Sequence, residues 1–146
     1  MMDRARHILK SRFGFETFRL DQEKAIEAVL RKKDTLVLMP TGGGKSLCFQ
    51  IPALLFPGLT VVISPLISLM RDQVSALRLN DIPSAFLNSS LTDREQSEIL
   101  AAVRKNKLKL LYLAPERFFA QDEQFLEFLK TIEISLFAID EAHCIS

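Results

Sequence analysis

The chain has 146 residues, 48 % of them apolar and 25 % charged, with 19 Lys and Arg against 18 Asp and Glu for a formal net charge of +1. That length suits a single core burying ~68 % of the surface of the unfolded chain, and the composition excludes a disordered or low-complexity segment. The charge balance excludes a global basic field, so any case for nucleic acid has to come from motifs. Cys48 and Cys144 lack CxxC spacing and read as reduced thiols of an intracellular protein, with no zinc site expected. No apolar run approaches the ~20 residues of a membrane span, and the first ten residues lack the apolar segment of a signal peptide.

In chain order, residues 3–33 read as helices around a turn at Phe13-Gly14-Phe15. Short apolar runs then follow at Thr35 to Met39, Leu59 to Ile63, Ser84 to Leu87, Leu108 to Leu113 and Ser135 to Ile139. Several are β-branched or continuously apolar, the pattern of strands covered on both faces. Between them lie helical stripes. LCFQIPALLF, from Leu47, can run as a helix kinked at Pro52. Leu66, Met70, Val74 and Leu77 share one face of a helix that starts after Ser64-Pro65. Ile99, Ala102 and Val103 form a smaller stripe, opened by Thr92 and Glu95 with capping-box spacing. Phe125, Leu126, Phe128 and Leu129 mark the last helix. Strands alternating with helices predict right-handed crossovers, hence one α/β domain with a parallel sheet and helices on both faces.

After the run at 35–39 comes Met39-Pro40-Thr41-Gly42-Gly43-Gly44-Lys45-Ser46, followed by a helix. Three successive glycines adopt torsions closed to other residues, so consecutive N–H groups can surround a phosphate at the positive end of that helix. Lys45 is then placed for the β and γ phosphates and the Ser46 hydroxyl for Mg²⁺, which makes this a nucleoside-triphosphate loop. Methionine at 39 departs from the strict GxxxxGK[ST] pattern. Hydrolysis also needs a carboxylate for the metal and a group to orient water. Asp140, at the end of the last apolar run, suits the first task and Glu141 the second; His143 either links this loop to a neighbouring element or is a structural histidine.

MPTGGGKS, SPLISLMRDQV, YLAPERF and DEAHCIS, in that order, resemble the motifs of the RecQ DNA helicases, in helicase superfamily two of the DEAH type. The resemblance runs from about Phe13 to Ser146, and SPLISLM with DEAHCIS separates RecQ proteins from DEAD-box RNA helicases. It also accommodates Met39. It implies a RecA-like P-loop NTPase lobe over 34–146, preceded at 1–33 by helices carrying an adenine-recognition motif. In that motif Phe15 and Arg19 would sandwich the base and Gln22 would hydrogen-bond its edge, favouring ATP over GTP; Phe18 belongs either to the motif or to the core. Tyrosine is frequent in the family at 15, and Pro-Gly at 20 and 21, where this chain has Phe and Leu-Asp.

By the same resemblance Ser64, Pro65 and Leu66, and Pro115, Glu116 and Arg117, track the phosphate backbone of single-stranded DNA. Polar residues just past strand ends are suited to that task. Arg71 either adds charge to the track or is a solvated helix residue. The cofactors implied are ATP and Mg²⁺, and the partner is DNA as single strands and duplex junctions, in the nucleoid of a bacterium or the nucleus of a eukaryote.

The lobe would be incomplete after the Asp-Glu-Ala-His strand, with no aromatic-rich coupling loop and no second lobe. An arginine finger from a second lobe contributes ~10³ to 10⁵ in rate, so this chain alone is expected to hold ATP without unwinding DNA. A sheet ending at Asp140 is also expected to leave an apolar edge that promotes association. Two alternatives remain at this stage: a superfamily-two translocase acting on RNA, and a truncated nucleotide-binding module that does not hydrolyse.

Overall fold

A computed structural model describes residues 2–19, 22–31, 46–64, 67–88, 90–115 and 123–139. The expected first strand at 35–39 lies outside them. The described chain falls into two compact units, residues 1–57 and 58–146.

The first unit is helical. Helix α1 (Met2–Phe13) ends at Gly14, whose φ of +75° is the left-handed conformation that glycine adopts without strain. The N–H groups of Gly14 and Phe15 return to the carbonyls of Lys10 and Leu9, closing the turn expected at 13–15. Helix α2 (Gln22–Leu30) and helix α3 (Leu47–Leu55) complete the unit. Ala5 and Leu9 of α1, Ile26 of α2, and Leu47, Ile51 and Leu55 of α3 form its core, with Phe13 and Phe18 packed against it. Helix α3 buries eight of its nine residues, as its nearly unbroken apolar sequence requires, and it accommodates Pro52 within the helix.

The second unit is a four-stranded parallel sheet with helices on both faces. Its strands are β1 (Leu59–Ile63), β2 (Ser84–Leu87), β3 (Leu110–Leu113) and β4 (Ile134–Ile139), in spatial order β2-β3-β1-β4. The crossovers are helix α4 (Ile67–Leu79), helix α5 (Asp93–Arg104) and helix α6 (Glu123–Lys130). From β1 to β2 the chain moves one way across the sheet, and from β2 to β3 to β4 it moves the other way. Right-handed crossovers therefore place α4 on one face and α5 and α6 on the opposite face. The contacts agree. The Tyr112 hydroxyl of β3 donates to Gln73 of α4 at 2.6 Å. The neighbouring Leu111 and Leu113, facing the other way, pack with Val61, Leu87, Val103 of α5, and Phe125 and Leu129 of α6.

Central strand β1 is buried along all five residues, the signature of a parallel strand covered on both sides. Met70, Val74 and Leu77 of α4 are buried, the described part of the stripe expected there. Helix α5 carries the expected capping box: the N–H of Glu95 donates to the Thr92 hydroxyl at 3.1 Å, and the N–H of Thr92 donates to the Glu95 carboxylate at 3.0 Å. Among the described residues β4 pairs only with β1, and its Phe137 and Ile139 are 52 % and 56 % exposed. An apolar groove lined by Leu126, Leu129, Ile132, Ile134 and Phe137 runs beside it.

Candidate nucleotide and nucleic-acid site

Met39, Pro40, Thr41, Gly42, Gly43, Gly44 and Lys45 lie outside the described residues, as do Asp140, Glu141 and His143. Pro65, Leu66, Glu116 and Arg117 lie outside them too. What is described is the frame on either side of each motif.

In the first unit the residues of the adenine motif are set by the end of α1 and the start of α2. Phe15 is 46 % exposed, whereas Phe18 is half-buried against the α1–α3 core. The exposed Phe15 ring can offer a stacking face, while Phe18 packs in part against the core. Gln22, the first residue of α2, is 2 % exposed. Its side-chain oxygen accepts the N–H of Arg19 at 2.7 Å, while its own N–H donates to the Arg19 carbonyl at 3.0 Å. The structure thus brings Arg19 and Gln22 together and sets the plane of the carboxamide.

Ser46 stands at the N-terminus of α3 in helical torsions, with its carbonyl accepting from the N–H groups of Phe49 and Gln50. Its hydroxyl makes no capping hydrogen bond, and the first amides of a helix lack partners within it. A hydroxyl not used in capping, at a positive helix end, fits a Mg²⁺-phosphate ligand. Two residues on, Cys48 is buried, which pushes its thiol up to about 11 and keeps it protonated at neutral pH. Cys48 is therefore a packing residue of this helix, with no thiolate to act as nucleophile.

In the second unit the motif residues follow the carboxyl ends of neighbouring strands. Ser64 follows β1, Ala114 and Pro115 follow β3, and Asp140 comes next in sequence after β4. β3, β1 and β4 are adjacent in the sheet, so the carboxyl ends of these three strands lie side by side. The Ser64 N–H donates to the Leu113 carbonyl at 3.0 Å, joining the two strand ends, and its buried hydroxyl has no hydrogen-bond partner among the described residues. Arg71, on the exposed face of α4, donates to the Ser90 hydroxyl at 3.2 Å and lies 5.9 Å from the centre of the Phe86 ring. Asn88 and Ser90, just past β2, were not singled out by the sequence reading. The Asn-Ser-Ser run after an apolar strand was the signal available for them, since Asn there folds its side chain back onto the following backbone.

Open parallel α/β sheets bind their ligands at the carboxyl ends of their strands. The DEAD/DEAH box helicase family matches residues 19–146, and the chain belongs to that family. It is 51 % identical to the ATP-dependent DNA helicase RecQ of Haemophilus influenzae over 95 % of its own length and 22 % of that protein. Over its whole length it is 48 % identical to the ATP-dependent DNA helicase RecQ of Bacillus subtilis, covering 24 % of it. A vertebrate relative, the RecQ-like DNA helicase BLM of Xenopus laevis, is 44 % identical over 95 % of the chain and 11 % of that protein. The chain thus spans about a quarter or less of the length of these relatives. No described helix is long and apolar enough to cross a membrane.

Proposed function

We propose that this chain is the ATP-binding lobe of a 3′ to 5′ RecQ-type DNA helicase, which in the longer protein couples ATP hydrolysis to strand separation in recombination and repair. The observation that carries the reading is that Ser64 and Ala114-Pro115 follow the carboxyl ends of the adjacent strands β1 and β3, with β4, the strand that precedes Asp140 in sequence, beside them. Ligands of open α/β sheets bind at that edge. Relatives named as DNA helicases, at 44–51 % identity, support DNA over RNA as the strand held there.

The residues have separate tasks in this reading. Phe15 and Arg19 hold the adenine between them and Gln22 reads its edge. The backbone of Gly42 to Gly44 surrounds the phosphates, with Lys45 on the β and γ oxygens. Ser46 and Asp140 would hold Mg²⁺, which would supply charge neutralisation for phosphoryl transfer. Glu141 orients and deprotonates the attacking water, and His143 carries the state of this loop to its neighbours. Ser64 to Leu66 and Pro115 to Arg117 bind the phosphates of the DNA strand through backbone N–H groups and side chains. The site of action is the nucleoid or the nucleus, on single strands and duplex junctions.

The test is stimulation of ATPase activity in the full-length protein by single-stranded DNA and by RNA. The proposal expects DNA to stimulate and RNA to be inert. Preferential stimulation by RNA would refute it in favour of an RNA translocase, and no hydrolysis under either condition would favour a non-hydrolysing module.

A further inference from the structure

We infer that Asn88 and Ser90 form a positioning relay that holds the Arg71 guanidinium for a nucleic-acid phosphate; this rests on the proposal that the carboxyl edge of the sheet carries a DNA strand. The hydrogen bonds run in one direction. Arg71 donates to the Ser90 hydroxyl at 3.2 Å, the Ser90 hydroxyl donates to the Asn88 side-chain oxygen, and the Ser90 N–H donates to the same oxygen at 2.8 Å. One acceptor thus orients both the backbone and the hydroxyl of Ser90, and the hydroxyl is left with its lone pairs toward the arginine.

The Phe86 ring, with its centroid 5.9 Å from the guanidinium carbon, adds a second restraint on Arg71. A guanidinium has five N–H donors in a rigid fork, and one bond to Ser90 leaves a donor set suited to an oxyanion. No acidic side chain pairs with Arg71 among the ion pairs of the described residues.

Asn88 itself is held in an unfavourable position. It is 5 % exposed, and its side-chain nitrogen is buried with no hydrogen-bond partner among the described residues. A buried donor without an acceptor is costly, and a smaller residue would remove that cost. What Asn88 does in return is organise Ser90. The relay lies at the end of β2, next to β3, so it lengthens the row of strand ends occupied by Pro115 and Ser64 toward the far side of the sheet. A strand of nucleic acid running along this edge would meet Arg71 after the residues that follow β1 and β3.

The experiment is binding of a fluorescent oligo-dT strand by the full-length protein, read by anisotropy across a salt series. One phosphate contact contributes about 0.7 to the log–log salt slope of single-strand binding, or about eight-fold in affinity between ~1 M and ~50 mM salt. Arg71→Ala should lose that slope and that affinity. Ser90→Ala and Asn88→Ala should lose a large part of both, Ser90→Thr should retain them, and Arg71→Ala/Ser90→Ala should bind no worse than Arg71→Ala alone. Ser90 is exposed, so its variants test the relay whatever Asn88→Ala does to the melting temperature. Wild-type slopes in Ser90→Ala beside a reduced slope in Arg71→Ala would overturn the relay alone. Losses that multiply in the double variant would overturn it as well. Failure of the unsubstituted protein to bind oligo-dT would overturn the DNA proposal and the relay together.

Discussion

Gly58→Ala tests how β1 and β4 are joined, and so how the strand leading to Asp140 is set in register. Gly58 donates its N–H to the Ser135 hydroxyl at 2.8 Å, and the next residue, Leu59, donates to the Glu133 carbonyl at 2.9 Å. A Cβ at position 58 would stand 2.6 Å from the Glu133 carbonyl oxygen, 2.6 Å from the Ser135 hydroxyl and 3.0 Å from Cγ of Glu133. The hydroxyl can rotate away, but the carbonyl is backbone at the point where the β1–β4 register shifts. Overpacking of this kind costs about 1–3 kcal/mol. Weakening the two hydrogen bonds adds about 1 kcal/mol, so the expected loss is roughly 2–4 kcal/mol. At about 2–4 °C per kcal/mol the melting temperature should fall by roughly 4–16 °C. Urea unfolding followed by circular dichroism measures the loss. Ser135→Ala alone should cost about 1 kcal/mol, and adding it to Gly58→Ala should not restore stability, because the backbone clash remains. Gly58→Ala within ~0.5 kcal/mol of the parent would refute the close approach and the tie it makes between the strands.

Thr92→Ala should destabilise by about 1 kcal/mol through loss of the α5 cap, measured by the same unfolding titration. The Thr92 N–H and hydroxyl hold the Glu95 carboxyl below the ordinary glutamate range. Its contribution is therefore present at neutral pH and is lost as the pH falls below ~4.3 and through the depressed value. The stability gap between wild type and Glu95→Ala should close in acid, and a gap independent of pH would contradict this. In a Cys144→Ser background, Cys48 should resist alkylation at neutral pH until the protein unfolds, since burial pushes its thiol up to about 11. Its protonated burial favours the native state below ~8.5, and that contribution falls as the pH rises from there toward the native value. Modification of the native protein as fast as that of a free thiol would contradict the burial of α3.

The sheet was legible where side-chain chemistry bounds an element. Ser84–Leu87 lies between Pro83 and Asn88, and β1 is a five-residue apolar run; both strands match their expected limits. β3 begins two residues later than its apolar run suggested. The reason is the end of α5: Asn106 takes a φ of +56°, the Lys107 N–H returns to Ala102, and Leu108 packs into the core from that turn before pairing begins. In the last helix Phe125 and Leu129 are buried but Leu126 is 38 % exposed, since the apolar stripe there is wider than the surface it covers. The division after Pro57 has no signal in composition, because α3 is as apolar as the strands that follow it.

Of the candidate site, position along the chain was readable and mutual orientation was not. Spacing placed Ser64 and Pro115 past strand ends, and only the strand order β3-β1-β4 shows those ends to be neighbours. The backbone bond between Arg19 and the Gln22 side chain, and the relay from Arg71 to Asn88, join residues through geometry that no apolar period reports. Exposure separated Phe15 from Phe18, two aromatic residues that look alike in sequence.

The proposal at stake is that the loop before α3 holds the phosphates of ATP while Phe15, Arg19 and Gln22 hold its adenine. Calorimetric titration of the chain with ATP and with GTP, each with and without Mg²⁺, tests it most directly. The account predicts ATP binding strengthened by Mg²⁺, weaker binding of GTP, loss of binding in Lys45→Ala, and loss of the preference for ATP in Gln22→Ala. Equal affinity for ATP and GTP, or unchanged ATP affinity in Lys45→Ala, would contradict it.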